Sequence, residues 1–269
     1  MARFDGIMLA SDMDGTLLDS AHEISRENVE AIRYFTENGG LFTIATGRMV
    51  SSITRYAEQI NINAPVIAIN GAVIYDLARG RLLSGIHHEA DMPEVIDGLK
   101  KNFPELGIEF FVIDEMYICQ GNDITRQHSR IINKPYIFTD VRGIVGDCMK
   151  VNLTQEPGYL ADVEHYLNDR YADAFYLTYS NPQYLEVMRA GVSKGRGLET
   201  VADIANISHE RAYAIGDGLN DIEMLESAGF SFAPANAEKQ VRDIADVIVS
   251  SNDGHAVRDA IIHIERRLA

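Results

Sequence analysis

The stretch Ile7-Met8-Leu9-Ala10-Ser11-Asp12-Met13-Asp14-Gly15-Thr16-Leu17-Leu18 decides the fold. Ile7 to Ala10 is a short apolar run without helical spacing, as expected of a strand buried on both faces of a parallel sheet. Two carboxylates, Asp12 and Asp14, follow at its carboxyl end, the end at which open α/β sheets bind ligands. Gly15 permits a tight turn, and Thr16 adds a hydroxyl and a backbone amide. Carboxylates this close repel, and one is pushed toward protonation unless a cation relieves the pair. A hard divalent cation such as Mg²⁺ does so with oxygen ligands. The two can then divide labour as nucleophile and general acid/base. The plainer reading of an isolated Asp-x-Asp is a loop with two solvated aspartates. The strand before it and three segments downstream favour the chemical reading.

Working outward, Ser25 to Asn38 reads as a helix capped by Ser25, with Val29, Ile32 and Phe35 on one face and Gly39-Gly40 ending it. Leu41 to Ala45 is a second apolar strand ending in Thr46-Gly47-Arg48, and a helix from Val50 to Ile60 follows it. Pro65 to Ile69 is a third, ending in Asn70-Gly71. A β-α-β-α-β series predicts a parallel sheet with right-handed crossovers, its polar strand ends facing one cleft. Then the pattern changes. Ala72 to Asp76 and Arg81 to Ile86 read as a hairpin; Ile108 to Ile113, Met116 to Gln120 and Met149 to Thr154 alternate apolar with polar. A helix over Leu160 to Arg170 separates these from strands at Ala174 to Tyr179 and Tyr184 to Met188. This predicts an inserted α+β unit with an antiparallel sheet. From Ser193 the first pattern resumes, with a helix to Ala205, a strand at Arg211 to Ile215, short strands at Phe230 to Ala233 and Val247 to Val249, and a helix from Ala256 to Leu268. The fold expected is α/β: a doubly wound, Rossmann-like parallel-sheet core formed by residues 1–81 and 190–269, with an α+β cap at 82–189.

The bulk numbers narrow the function. The chain has 269 residues, of which 46% are hydrophobic, a globular composition long enough for a sizeable core. A net charge of −16 argues against a general nucleic-acid or anionic-membrane surface. It leaves room for a phosphorylated small substrate, because local cations can reverse the field inside one cleft. Cys119 and Cys148 show no metal or disulfide spacing and read as free thiols. The apolar run before Ser11 is too short for a signal peptide, and no run approaches a membrane span. The expectation is a cytoplasmic protein with no nucleic-acid or membrane partner and no obligate protein partner evident.

Four segments carry the chemistry: Asp12-Met13-Asp14-Gly15-Thr16, Thr46-Gly47-Arg48, Ser193-Lys194-Gly195 and Gly216-Asp217-x-x-Asn220-Asp221. Together, in this order, they resemble the haloacid dehalogenase-like superfamily of phosphohydrolases, and more narrowly its Cof-type sugar-phosphatase branch with a large inserted cap. The resemblance implies that Asp12 takes the phosphoryl group as an aspartyl-phosphate. It implies that Asp14 protonates the leaving oxygen and later deprotonates water. Thr46, Gly47, Lys194 and Asn220 would bind the phosphoryl group. Mg²⁺ would be held by Asp12, Asp217, the backbone carbonyl of Asp14, and Asp221, with Asn220 in support. The cap would close over the cleft to exclude water. The chemistry is coherent, since phosphoryl transfer needs in-line positioning and neutralised equatorial oxygens.

Several residues keep a second reading. Asp221 precedes a helix-like segment and is equally an N-cap. Arg48 is either a first-turn helix residue or a substrate contact. Asn70 and Gly71 shape either the cleft or only a turn. Lys194 alone would read as solvated, but not beside Gly195 at a helix start. Tyr117, Tyr136, Tyr176, Tyr179 and Tyr184 either line a pocket or lie half-buried on a sheet. His87-His88 has no metal-ligand spacing and reads as a solvated pair. Phe232 to Ala237 departs from the branch's methionine-glycine-asparagine-alanine, which bears on that loop's conformation alone. The activity implied is hydrolysis of a small phosphorylated metabolite such as a sugar phosphate. The alternatives are a phosphomutase of the same fold and, in another class, a non-enzymatic phospho-acceptor module. Against the latter stands the second domain, which such modules lack.

Overall fold

The computed structural model describes residues 2–89, 91–144 and 146–268. The chain begins β1 (Met8–Ser11), α1 (Arg26–Glu37), β2 (Leu41–Ile44), α2 (Val50–Ala57), β3 (Val66–Ala68), β4 (Val73–Asp76) and β5 (Arg81–Gly85). Next come α3 (Met92–Asn102), β6 (Gly107–Phe111), β7 (Met116–Gln120), α4 (Asp123–Ile131), β8 (Lys150–Thr154), α5 (Pro157–Tyr171), β9 (Phe175–Asn181) and β10 (Tyr184–Arg189). The last part is α6 (Lys194–Ala205), β11 (Ala212–Ile215), α7 (Ile222–Ser227), β12 (Phe230–Pro234), α8 (Lys239–Ile244), β13 (Val247–Val249) and α9 (Ala256–Arg267). Local chemistry sets many of these ends. Ser25 caps α1 by accepting from the Asn28 N–H at 3.3 Å, and Ile32 and Phe35 form the buried face. Pro157 opens α5, where its missing N–H costs nothing, so this helix starts earlier than Leu160.

The chain divides into two compact units, Met1–Ser84 with Ser193–Ala269, and Gly85–Val192. Unit 1 holds a five-stranded sheet in the order β13-β12-β11-β1-β2, its pairs parallel. β1 and β11 are buried along their whole length. Met8 and Ala10 on β1, Ala212 and Ala214 on β11, and Leu198, Val201 and Ala202 on α6 belong to one core cluster. Unit 2 holds an antiparallel sheet in the order β7-β6-β8-β10-β9. The core of that unit is built from Ile108, Phe110, Val151, Leu153, Leu185 and Val187 of the sheet, with Val95 and Leu99 of α3 and Leu160 and Val163 of α5.

Two expectations need correction. The third apolar run does not extend the parallel ladder. β3 pairs antiparallel with β4 in a separate sheet, β3-β4-β5. It touches β2 through one parallel bridge, Ala45 to Ile67, and the Thr46 N–H donating to the Ile67 carbonyl at 2.8 Å. The antiparallel return of β4 on β3 follows from the reversal at Ile69, Asn70 and Gly71, whose φ values are 49°, 52° and 96°. A left-handed isoleucine is costly, and the chain turns back there instead of crossing over. The second correction concerns His88, which is buried, not solvated, at 5% exposed. Its Nε2 donates to the Val187 carbonyl at 3.2 Å and its ring meets Phe175 edge-on. Burial pushes its pKa down to about 4, so it is neutral at physiological pH. α3 and α4 were not marked by the periodicity, which showed only the alternating strands around them. Cys119 and Cys148 are free. Among the described residues no helix is long and apolar enough to cross a membrane.

Candidate active site

Ser11 of β1 lies opposite Ile215 of β11, so the two strands end together and deliver Asp12 and Gly216-Asp217 to the same sheet edge. The Asp12 N–H donates to the Ile215 carbonyl at 2.9 Å, which fixes that junction. Ser193 caps α6 by accepting from the Arg196 N–H at 3.2 Å, placing Lys194 in its first turn. The Lys194 side chain is fully buried, and its Nζ donates to Asp12 Oδ1 and Asp221 Oδ1, both at 2.6 Å. Asp221 Oδ2 accepts from the backbone N–H groups of Asp217 and Gly218 at 3.0 and 2.9 Å. Both Asp221 oxygens are therefore engaged in holding Lys194 and the loop at 216–218. Thr16 Oγ1 donates to Asp217 Oδ1 at 2.6 Å. Gly15 sits at φ +80°, and a Cβ there would lie 2.3 Å from Asp217 Oδ2, so no other residue fits the turn.

Charge, not space, is the unsolved quantity here. Ligand oxygens of Asp12, Asp217 and Asp221 lie within 4.8 Å of one another. Burial pushes the Asp12 carboxyl well above its ordinary range; Lys194 pulls it down, and Asp221, Asp217 and Asp14 push it up. Burial, then the charge of Asp221, lifts Asp217 to about 7. Burial works against the charge on Lys194, but Asp12 and Asp221 outweigh it and hold the ammonium protonated. One ammonium does not balance three carboxyls, two of them buried and the third half-buried. The donor set fits a hard divalent cation, which prefers oxygen ligands and would complete the neutralisation.

Asp14 stands apart from this cluster through its side chain. Arg48 grips it bidentately, Nε to Oδ2 at 2.7 Å and Nη2 to Oδ1 at 2.5 Å, in a partly exposed pair. Arg48 is thus the partner of Asp14, a role neither sequence reading assigned to it. Thr46 is buried at the end of β2; its Oγ1 accepts from the Arg48 N–H at 3.2 Å and its carbonyl from the Asn70 N–H at 3.0 Å. Asn70 Oδ1 accepts from Asn220 Nδ2 at 3.2 Å, and a Cβ on Gly47 would meet that same oxygen at 3.0 Å. Gly71 lies against the Ser193 backbone, where a Cβ would come within 2.1 Å of the carbonyl. Gly71 therefore lets the β3 turn approach the start of α6.

The structure thus brings Asp12, Lys194, Asp217 and Asp221 into one cluster, joins Asn70 to Asn220, and joins Asp14 to Arg48. Two supporting residues carried no sequence signal of their role. Thr16 was read as offering a hydroxyl and a backbone amide at the strand end, and its hydroxyl instead donates to Asp217. Asn236 donates to the Gly15 carbonyl at 2.8 Å and accepts from the Asn252 N–H at 2.8 Å. It lies in the loop whose sequence departs from the branch pattern, and it supports the turn after Asp14.

The family model for haloacid dehalogenase-like hydrolases matches residues 9–261. Phosphatase YwpJ of Bacillus subtilis is 29% identical over 96% of this chain and 99% of its own length. The 5-amino-6-(5-phospho-D-ribitylamino)uracil phosphatase YitU of the same organism is 26% identical over 93% of this chain and 94% of its own. Among solved structures, BT1666 of Bacteroides thetaiotaomicron, a phosphatase of this superfamily, aligns with a TM-score of 0.84 at 25% identity over 97% of this chain and 95% of its own. Fold, acidic cluster and similarity agree: the chain belongs to the haloacid dehalogenase-like hydrolase family, as a cap-bearing phosphatase of its Cof-type branch.

Proposed function

We propose that this phosphatase is Mg²⁺-dependent and hydrolyses the monoester of a small phosphorylated metabolite through an aspartyl-phosphate on Asp12. The observation that carries this reading is the convergence of Asp12, Asp217 and Asp221 on one another, with the buried Lys194 paired to Asp12 and Asp221. Asp12 and Asp217 would hold the cation with the Asp14 backbone carbonyl, while Asp221, its oxygens already engaged, positions Lys194. A bound Mg²⁺ neutralises charge on the transferring phosphoryl group and keeps Asp12 ionised.

An Asp12 carboxylate oxygen forms a bond to phosphorus as the ester P–O bond breaks. Asp14 gives its proton to the departing alkoxide. Asp14 then takes a proton from water, whose oxygen attacks phosphorus and breaks the bond to Asp12, releasing phosphate. Lys194 and Thr46 would hold the phosphoryl oxygens, aided by the Gly47 amide and Asn220. Arg48 fixes the direction in which the Asp14 carboxyl faces. A polyol phosphate is favoured as substrate, because YitU is described as acting on a phosphoribityl compound.

The test is a panel of phosphate monoesters read by free phosphate, with and without Mg²⁺. Turnover that vanishes in excess chelator and returns with Mg²⁺ is expected. Asp217→Ala should raise the Mg²⁺ requirement at least about tenfold. Full activity in chelator would remove the metal role. Phosphoryl return to substrate with no free phosphate would make the protein a mutase.

A further inference from the structure

His88 in unit 2 takes no part in the phosphoryl chemistry, and one nitrogen of its ring is unmet. A carbonyl oxygen only accepts, so Nε2, 3.2 Å from the Val187 carbonyl, carries the ring proton. Burial keeps the imidazole neutral. Nδ1 is therefore a bare acceptor, and it is buried without a hydrogen-bond partner. The segment is tied in place, because the His88 N–H donates to the Cys148 carbonyl at 2.8 Å and Phe175 stands edge-on to the ring. A buried acceptor left unmet is costly and uncommon in a native protein.

The ring borders a cavity of about 230 Å³. One water needs roughly 10–15 Å³ of such space, so a small organic molecule has room. Glu89, Asp91, Asp173, Phe175 and Arg189 line it with His88, and all of them belong to unit 2. Arg189 Nη2 pairs with Glu89 Oε1. Asp91 and Asp173 are exposed, and among the described residues neither is in an ion pair. Asp91 stands at the start of α3 without capping it. Three carboxylates against one guanidinium leave two negative charges on the wall, beside a neutral ring.

The ligand that fits must bring a hydrogen-bond donor for Nδ1 and positive charge for two unpaired carboxylates. An anion fails on charge. A neutral alcohol supplies a donor and leaves both charges uncompensated. A histidine whose other nitrogen donates to a carbonyl is a common metal ligand. Here the ligand atoms do not converge, since among the described residues only Asp12, Asp217 and Asp221 bring three such atoms within 4.8 Å of one another. An ammonium group supplies N–H donors and charge together, and the Phe175 ring offers an aromatic wall to a cation. We propose that this cavity of unit 2 binds a small aliphatic amine, whose ammonium donates to His88 Nδ1 while the carboxylates of Asp91 and Asp173 balance its charge. The site stands independently of the phosphatase reading.

Putrescine is the probe, with the diol of the same chain length as the control, and no turnover is needed. Titration calorimetry should show saturable binding of putrescine to the wild type, and nitrogen NMR should show the His88 Nδ1 resonance moving with it. The diol should do neither. Asp91→Asn combined with Asp173→Asn, both at exposed positions, should raise the Kd at least about tenfold with near-ultraviolet circular dichroism unchanged. Asp173→Asn alone should move the Kd in the same direction. No saturable binding, or a Kd untouched by these variants, overturns the inference. A chain of net charge −16 attracts any polycation, but diffuse binding of that kind leaves Nδ1 unmoved and overturns it too. A diol that shifts Nδ1 as far as the diamine would mean that any donor, water included, suffices, and Zn²⁺ shifting Nδ1 where putrescine does not would make the cavity a metal site; either sinks the proposal. The phosphatase reading would survive all of these, because free phosphate decides it.

Discussion

In the sheet β13-β12-β11-β1-β2 the strands at the site are mostly apolar, with no ionisable carboxylate or amine along them, and the candidate groups leave at a terminus: Asp12 after β1, Thr46 after β2, Asp217 after β11. In the sheet β7-β6-β8-β10-β9 the polar groups lie across the middle of the strands, Glu109 beside Asn152 beside Glu186. The difference follows from what covers each sheet. A parallel sheet needs a crossover between strands, which puts helices on its faces and leaves only its ends for chemistry. An antiparallel sheet can turn directly, so one face can rest on α3 and α5 while the other carries side chains along its length. Unit 1 therefore gathers its polar groups at a point, and unit 2 spreads its own across the strands.

The sharpest way to break this contrast is at the point. Asp12→Asn keeps shape and removes the attacking charge, and turnover should fall by several orders of magnitude, on the order of 10³-fold or more, in a folded protein. Near-normal phosphate release from that variant would mean the reaction happens somewhere else. Asp14→Asn should have the next largest effect, about 10²- to 10⁴-fold, and it should depend on the leaving group. A nitrophenolate needs no proton, so phosphoenzyme should form from the aryl phosphate and then hydrolyse slowly. A sugar alkoxide needs one, so neither step should run well. Rapid-quench trapping on both substrates separates the two, and equal slowing of phosphoenzyme formation would take the acid role away from Asp14.

Smaller effects sharpen the comparison of the units themselves. His88 has its folded pKa depressed to about 4 by burial, below the unfolded value. Between those two values the unfolded state binds more protons, so stability rises with pH through that window. Unit 2 should have its full contribution from His88 above about pH 6.5 and lose roughly 2 kcal/mol of it by pH 5. Hydrogen exchange of the β10 amides at both pH values reads this directly. His88→Gln can retain the donor to Val187 without titrating and should flatten the slope; an unchanged slope would place the acid-sensitive group elsewhere. The smallest effect belongs to unit 1. Ser25→Ala removes the α1 cap and should cost about 1 kcal/mol in chemical denaturation, without altering exchange in β10.

The four motifs were readable because each pairs a strong local signal with a place in the α/β pattern. An apolar run that stops at Asp-x-Asp-Gly-Thr, or a serine cap followed by lysine, constrains backbone and chemistry together. Arg48 was legible as present but not as the partner of Asp14, because that ion pair joins two loops with no shared periodicity. Thr16 and Asn236 escaped for the same reason: each acts on a residue remote in sequence. The antiparallel return of β4 on β3 depends on three successive positive φ angles, and the Ile69 among them is a residue that propensity would assign to a strand. In unit 2 the alternation of Ile108 to Phe111 and Lys150 to Thr154 was visible. What was not visible is that its polar side is buried, because alternation reports two faces and not what covers them.

Asp12 and Lys194 touch, yet they stand 182 positions apart in the chain. Residues 85–192, with their own hydrophobic core, are synthesised between them. β1 meets β2 on one side early, but its other side is completed only by β11, after all of residues 85–192 have been made. At ribosomal rates of about 5–20 residues per second, that apolar edge waits on the order of ten seconds or more for its partner. An unpaired strand edge is a template for pairing with another chain. The connectivity that lets one insertion interrupt the reactive half therefore makes the nascent protein most vulnerable just while its second unit is emerging. Slowing translation within residues 85–192 should lengthen that exposure, whereas slowing it after β11 should not.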